Sequence, residues 1–387
     1  MKKNKILFLL VIFVSLPLLA NENTLTLFAY PTQRKIDWST PKNAIKDFLG
    51  IAVRKLIFPG AKIEAINPDG ESSEIDEYYK STMGHTVTHV KCTTSSGEKF
   101  DEWTSFSGQD FIEVDNKNIF KEKMGLGILF YDYADGHIIR GEENIKRLIY
   151  FRAKNRAEEK VKPRYLQIPI DHSQCDKLKE FINFFTSFNY DKDITLEQLL
   201  SRPEDQTLFF TTNLDPYESF LDRKNDPKAK VGGGCAPYAV ALMKVVNEYD
   251  NYFDSIWKLN LTISENKFGN KKNNPIAFVD LIFGKMGERW ADPGYPTKKM
   301  SQYDPTRIWE FIGDVLKCEK NYFINCSPSI APWIDKNFER IEKGEAIIFS
   351  DTQKIQDTRV NYEGEYEDRE ILKTQEQTAT GIILHSK

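Results

Sequence analysis

Val231-Gly-Gly-Gly-Cys-Ala-Pro-Tyr-Ala-Val-Ala-Leu-Met-Lys-Val-Val246 is the passage on which the fold of this chain turns. Ala239, Leu242, Met243 and Val246 recur at i, i+3, i+4 and i+7, which lines one face of a buried helix. Pro237 suits the first turn of that helix, where its missing N–H costs nothing. The helix therefore opens at Cys235, and the glycines before it let a strand or a substrate carbonyl approach the backbone closely. A cysteine in that place has its thiolate stabilised by free N–H groups and by the positive end of the helix dipole. The same N–H groups can hold the oxyanion of an acyl-transfer intermediate. Such a nucleophile still needs a base, usually a histidine.

Upstream, His85 to Thr94 alternates as a strand, Ser95-Ser-Gly turns, and Glu98 to Ser107 returns as its hairpin partner. His85 follows Gly84 at the mouth of this strand, where a side chain can enter a cleft without displacing core. It is the candidate base. His89 shares its strand face, but four residues of strand span about 13 Å, so the two can share neither a sulfur nor a metal ion. The β-branched Thr86, Val87, Thr88 and Val90 disfavour the helix that a zinc-binding His-x-x-x-His pair needs. If Thr94 pairs with Glu98, Ser107 falls opposite His85; a slip of one residue changes this. His137 reads as a turn residue, and His172 and His385 as surface. Asp215-Pro and Arg289-Trp-Ala-Asp-Pro-Gly read as turns or cleft walls.

The remaining pattern predicts a helix over Pro41–Leu56, a strand over Lys62–Ile66, a turn at Asn67-Pro-Asp-Gly-Glu-Ser-Ser and a glycine-bearing strand over Met124–Tyr133. Glu142–Lys162 has helical spacing and Tyr165–Ile170 reads as a strand. Ser173–Phe188 reads as a helix capped by Asp171 or Ser173. Asp215–Lys230 reads as a polar loop, Tyr252–Ile263 and Ile276–Phe283 as strands, and Asp304–Leu316 as a short helix. Asn21 to Pro41 and Glu339–Lys387 give few cues.

Lys2, Lys3 and Lys5 precede fourteen mostly apolar residues, Ile6–Leu19, and Ala20 ends the run before polar Asn21-Glu22-Asn23. That order predicts a cleaved signal peptide over residues 1–20 and an exported, secreted or periplasmic protein. The run is short for a membrane span, no second apolar stretch follows, and no cysteine follows the cut to carry a lipid. The mature chain is expected to have no transmembrane segment. The net charge of −4 becomes −7 without the three leading lysines, which gives no reason to bind nucleic acid. The five cysteines are an odd number, so at least one thiol is left over. Cys318 and Cys326 can close a small loop and Cys92 with Cys175 a second one, which leaves Cys235 unpaired; nothing local demands the second pair.

Ser81-Thr-Met-Gly-His-Thr, a hairpin, and a helix-opening Gly-Gly-Cys some 150 residues later resemble circularly permuted papain-like (NlpC/P60-like) thiol enzymes. The chain is also similar to an uncharacterised-domain family that includes bacterial lipoprotein intramolecular transacylases. The likeness lies in the Gly-His-Thr strand, Arg164-Tyr-Leu-Gln-Ile-Pro-Ile, the helix from Gln174 to Phe185 and the Cys that opens a further helix. It covers roughly Ala61 to Asp304. Gly234 stands where that family often has Asn. The resemblance implies Cys235 as nucleophile and His85 as base; the histidine count and spacing argue against a metal, and no cofactor is expected. It also implies an envelope substrate bearing an acyl or amide group, lipid-linked or peptidoglycan.

The expectation is thus an α+β protein with a papain-like core, an antiparallel sheet packed on the Cys235 helix, and helical additions. An N-terminal extension spans 21–60, the thiol-enzyme domain 61–304, and a C-terminal portion 305–387 that is left open as part of the same domain. The expected function is thiol-dependent acyl transfer, as an amide or ester hydrolase or a transacylase. Three alternatives stand beside it: a non-catalytic envelope protein whose Cys235 is structural, a disulfide from Cys235 to Cys92 or Cys175, and a metal-dependent hydrolase. The third catalytic group and the oligomeric state are not legible.

Overall fold

The computed structural model describes residues 23–32, 35–57, 63–66, 72–75, 84–107, 125–126, 137–141, 144, 164–186, 216–225, 234–268, 276–320, 326–342, 348–351 and 360–362. Residues 1–20, nearly all of the strand expected over Met124–Tyr133, nearly all of the helix expected over Glu142–Lys162, and His385 lie outside them.

In chain order the elements are β1 (Thr24–Tyr30), α1 (Pro41–Ile57), β2 (Ile63–Ile66), β3 (Ser72–Ile75), β4 (His85–Thr93), β5 (Lys99–Ser107), β6 (His137–Arg140), β7 (Arg164–Pro169), α2 (His172–Thr186), α3 (Pro216–Asn225), α4 (Cys235–Val245), α5 (Tyr252–Trp257), β8 (Lys258–Ser264), α6 (Phe278–Phe283), β9 (Thr297–Tyr303), α7 (Pro305–Lys320), α8 (Ala331–Glu342), β10 (Ile348–Asp351) and β11 (Val360–Tyr362). The fold class is α+β. A six-stranded sheet runs β10-β7-β1-β4-β5-β6 with every pairing antiparallel. Smaller sheets are β11-β2-β3 and the β8-β9 hairpin.

The N-terminal stretch that gave few cues supplies the central strand. All seven residues of β1 are buried, with β4 on one side and β7 on the other. A strand buried on both faces shows less of the alternation that makes a half-buried strand readable. Leu25, Leu27 and Ala29 join the main core, where α2, α4, α5, α7 and α8 also bury their apolar sides. Phe28 and Tyr30 enter a separate cluster with Val87 and Tyr165 on the opposite face. A second core gathers α1, α6 and the β8-β9 hairpin around Ala44, Ile45, Ile263, Leu281 and Met300.

Three expectations are corrected. Pro216–Asn225, expected as loop, is helix α3, because Phe220 packs 5.1 Å from Phe181 and 4.9 Å from Phe184 and this burial outweighs the polar composition. Tyr252–Ile263 is not one strand: helix α5 comes first, with Phe253 and Trp257 stacked at 4.1 Å, and the strand begins only at Lys258. An i, i+4 aromatic pair is a helical spacing. Ile276–Phe283, expected as strand, contains helix α6, whose start is fixed by the Ala277 N–H donating to Asp280 Oδ2 at 3.1 Å.

Helix α2 opens with a reciprocal cap. The Gln174 N–H donates to Asp171 Oδ1 at 2.7 Å and the Asp171 N–H to Gln174 Oε1 at 2.8 Å. Disulfides join Cys92 of β4 to Cys175 of α2 and Cys318 to Cys326, leaving Cys235 as the free cysteine. Among the described residues no helix is long and apolar enough to cross a membrane.

Candidate functional site

Cys235 is the first residue of α4. Gly234 before it is extended (φ −103°, ψ −171°), and its carbonyl accepts the first helical bond from the Tyr238 N–H at 3.1 Å. No side chain caps this end. A Cβ at Gly234 would meet nothing closer than Pro237 Cδ at 3.9 Å, so the backbone there does not demand glycine. One turn on, the Tyr238 hydroxyl donates to Thr104 Oγ1 at 3.2 Å. Thr104 Oγ1 is in turn 2.7 Å from Thr88 Oγ1. This buried chain of hydroxyls pins the first turn of α4 to β4 and β5, and so fixes where the sulfur lies. From Ala236 to Met243 the helix is buried all round, which is more than the single apolar face the sequence displays.

Cys235 is itself half-buried. Burial raises its thiol pKa above the ordinary cysteine value, and the N–H and hydroxyl of Thr86, then the N–H groups of Ala236 and Cys235, pull it back in part. The balance leaves a protonated thiol at neutral pH, ringed by groups that favour a negative charge on it.

Thr86 belongs to β4, one residue after His85. The start of this strand lies against the end of β1 and the start of α7. A Cβ on Gly84 would come 2.7 Å from the Tyr30 carbonyl oxygen and 3.0 Å from Pro305 Cβ, so only glycine passes there. Thr32 of the β1 exit is tied to Thr306 of α7 through its N–H, at 3.1 Å from Thr306 Oγ1. His85 pairs across to Tyr30 and is 6% exposed.

Strand alternation divides β4 between the two sheet faces. Val90 and Cys92 join the core beneath α4, so Thr86 and Thr88 share that side. Val87 joins Phe28, Tyr30, Tyr165 and Trp103 on the other, the side to which alternation assigns His85 and His89. The helix that Cys235 opens therefore packs on the Thr86 side of β4, and His85, the next residue along, is assigned to the opposite face. Sequence reasoning placed Cys235 and the His85 strand together and passed over Thr86, which nothing in a strand rich in threonines marks out.

The hairpin register is as the turn implies. The Thr94 N–H donates to the Glu98 carbonyl at 2.8 Å, and pairs run from Thr93↔Lys99 to Thr88↔Thr104. The ladder then ends, and Ser107 pairs with His137 of β6 instead. His89 stacks on Trp103 at 4.1 Å, and its Nε2 lies 2.7 Å from Asp101 Oδ1, which holds the Asp101 carboxyl below the usual range. His172 Nδ1 is 2.7 Å from the Thr93 carbonyl oxygen. Among the described residues no group of three or more His, Cys, Asp or Glu is placed to hold a metal ion.

The segment Arg289-Trp-Ala-Asp-Pro-Gly wraps a buried ammonium. Lys267 Nζ donates to the carbonyls of Met286 (2.5 Å) and Arg289 (2.6 Å) and to Asp292 Oδ1 (3.0 Å). The Trp290 ring N–H donates to the Trp38 carbonyl at 2.8 Å, which ties the same segment to the approach to α1.

No protein-family model, no curated protein and no solved structure matches this chain.

Proposed function

We propose that the chain is a thiol-dependent acyl-transfer enzyme of the cell envelope, with Cys235 as nucleophile and His85 as its base. The observation that carries this is the seat of the free sulfur. It opens a buried helix whose first turn is pinned to β4 and β5, and the N–H groups of Thr86, Ala236 and Cys235 favour a negative charge on it. The other four cysteines are spent in disulfides. Those two bridges also favour an oxidising compartment, in keeping with an exported protein whose leader is residues 1–20.

In this chemistry the imidazole takes the Cys235 proton as the sulfur attacks a carbonyl carbon. The oxyanion formed accepts from N–H groups at the start of α4. Collapse expels an amine or alcohol, which takes the proton back, and leaves a thioester. Water then completes hydrolysis, or a second amine or hydroxyl completes acyl transfer. His85, the first residue of β4, must turn its ring round the end of the sheet to do this, because alternation alone would put the ring on the other face. The ladder to β5 ends at Thr88↔Thr104, so this end of the strand is not flanked by that partner. The substrate class, an acyl or amide group on a lipid-linked or peptidoglycan molecule, rests on the resemblance and the compartment.

A structural Cys235 is the competing reading, and the raised thiol pKa favours it. A thiol-reactive acyl probe on the native protein decides. Fast labelling confined to Cys235 and lost in His85→Ala supports the enzyme. Labelling that begins only on denaturation ends the proposal.

A further inference from the structure

Thr86 is 1% exposed, and its hydroxyl oxygen has no hydrogen-bond partner among the described residues. Its neighbours on the same face do not share this condition. Thr88 two residues on donates to the Thr104 carbonyl at 3.0 Å, and Thr104 also receives the Tyr238 hydroxyl. A buried hydroxyl left without a partner is costly and calls for an explanation, of which a partner supplied in a later state is one. The first turn of α4, which Cys235 opens, is pinned to this face of β4 through Tyr238, Thr104 and Thr88, and its sulfur is a poor acceptor as a neutral thiol and a strong one as a thiolate.

We infer that Thr86 is a positioning residue for the Cys235 nucleophile: its hydroxyl stands idle against the resting thiol and donates to the sulfur once the proton has left. The role rests on Cys235 acting as the nucleophile. No covalent bond changes at Thr86; its O–H keeps its proton while the thiol proton passes to the base. The contact strengthens only in the charged state, so it lowers the cost of making the nucleophile without tightening the resting one. The Thr86 N–H and the N–H groups of Cys235 and Ala236 complete the set of donors. Along β4 the adjacent titratable group is His85. On α4 the titratable side chains are Tyr238, engaged with Thr104, and Lys244 in the last turn.

The test is the pH profile of Cys235 alkylation by iodoacetamide in the full chain, read by intact mass. Thr86→Val keeps the shape and removes the hydroxyl; its profile moves up by about one pH unit, the size expected for one lost hydrogen bond to a charged acceptor. Thr86→Ser restores the wild-type midpoint. Thr88→Val, which breaks a structural bond on the same face, lowers the melting temperature more than it moves the midpoint. If Thr86→Val does not fold, Thr86→Ala gives the same readout. A Thr86→Val profile that overlays the wild type, with the sulfur reactive in both, overturns the role of Thr86 and leaves the nucleophile standing. A wild-type sulfur inert until denaturation overturns both.

Discussion

Lys267 and Cys235 are both polar side chains withdrawn from water, and the protein surrounds them in opposite ways. The Lys267 ammonium has three protons and three acceptors, two carbonyls and the Asp292 carboxylate, all within 3.0 Å. Nothing about it is left to satisfy, and the loop over it is held by its own turns and by Trp290. Around Cys235 the N–H groups of Thr86, Ala236 and Cys235 favour a charge that the neutral sulfur does not carry, and among the described residues the Thr86 hydroxyl has no partner. A saturated buried charge is a structural rivet, whereas an unsaturated donor set around a sulfur is what the proposed nucleophile would require.

The largest effect that would sharpen this contrast is at the sulfur. Cys235→Ser should lower turnover or acyl-probe labelling on the order of 10³-fold or more while leaving the unfolding midpoint nearly unchanged. Retained labelling at another residue would move the nucleophile elsewhere. Lys267→Met should do the reverse. It removes the donor of the Met286 and Arg289 carbonyls and leaves Asp292 with the Asn266 amide alone of these partners, so urea unfolding should show a loss of about 3 kcal/mol with native Cys235 reactivity intact. If Lys267→Met instead abolishes labelling at an unchanged urea midpoint, the division between rivet and reactive site is wrong.

A third change separates position from chemistry. Gly84→Ala forces a Cβ against the Tyr30 carbonyl and Pro305, neither of which is a flexible side-chain end. The expected cost is about 1–3 kcal/mol of stability by overpacking, together with slower Cys235 labelling because the start of β4 is displaced. Full-rate labelling in a destabilised Gly84→Ala protein would show that the strand start does not set the reactivity.

Much of this site could be read before any coordinates. The apolar spacing after Cys235 gave the helix, and the turn at Ser95-Ser-Gly gave the hairpin register that the Thr94–Glu98 bond bears out. These are local signals, carried by residues within a few positions of one another. The rest depended on partners far along the chain. β1 becomes a central strand only because β4 and β7 cover both its edges. α3 becomes a helix because Phe181 and Phe184 wait for Phe220. Thr86 gains its meaning from a sulfur 149 positions away, and a threonine in a strand rich in threonines carries no mark of that in sequence.

Asp304 lies between the two extremes and offers the smallest test. Its carboxylate caps α7, accepting the Thr306 N–H at 2.8 Å. Even so, burial raises its pKa above the usual carboxylate value; the bonds from Thr306 and the charge of Arg307 offset only part of this. A carboxyl whose folded pKa lies above its unfolded one keeps its proton in the native state over a range where the unfolded chain has lost it. Its burial therefore costs nothing below the unfolded pKa, and the cost grows as pH rises through the window up to the folded value. Asp304→Asn keeps an oxygen for Thr306 and removes the ionisation. The variant should match the wild type in urea midpoint near the acid end and gain on it steadily toward neutral pH. A difference that stays flat with pH would mean the carboxylate is as well satisfied as the Lys267 ammonium. A difference that favours the wild type as pH rises would mean that the α7 terminus stabilises the charge more than burial opposes it.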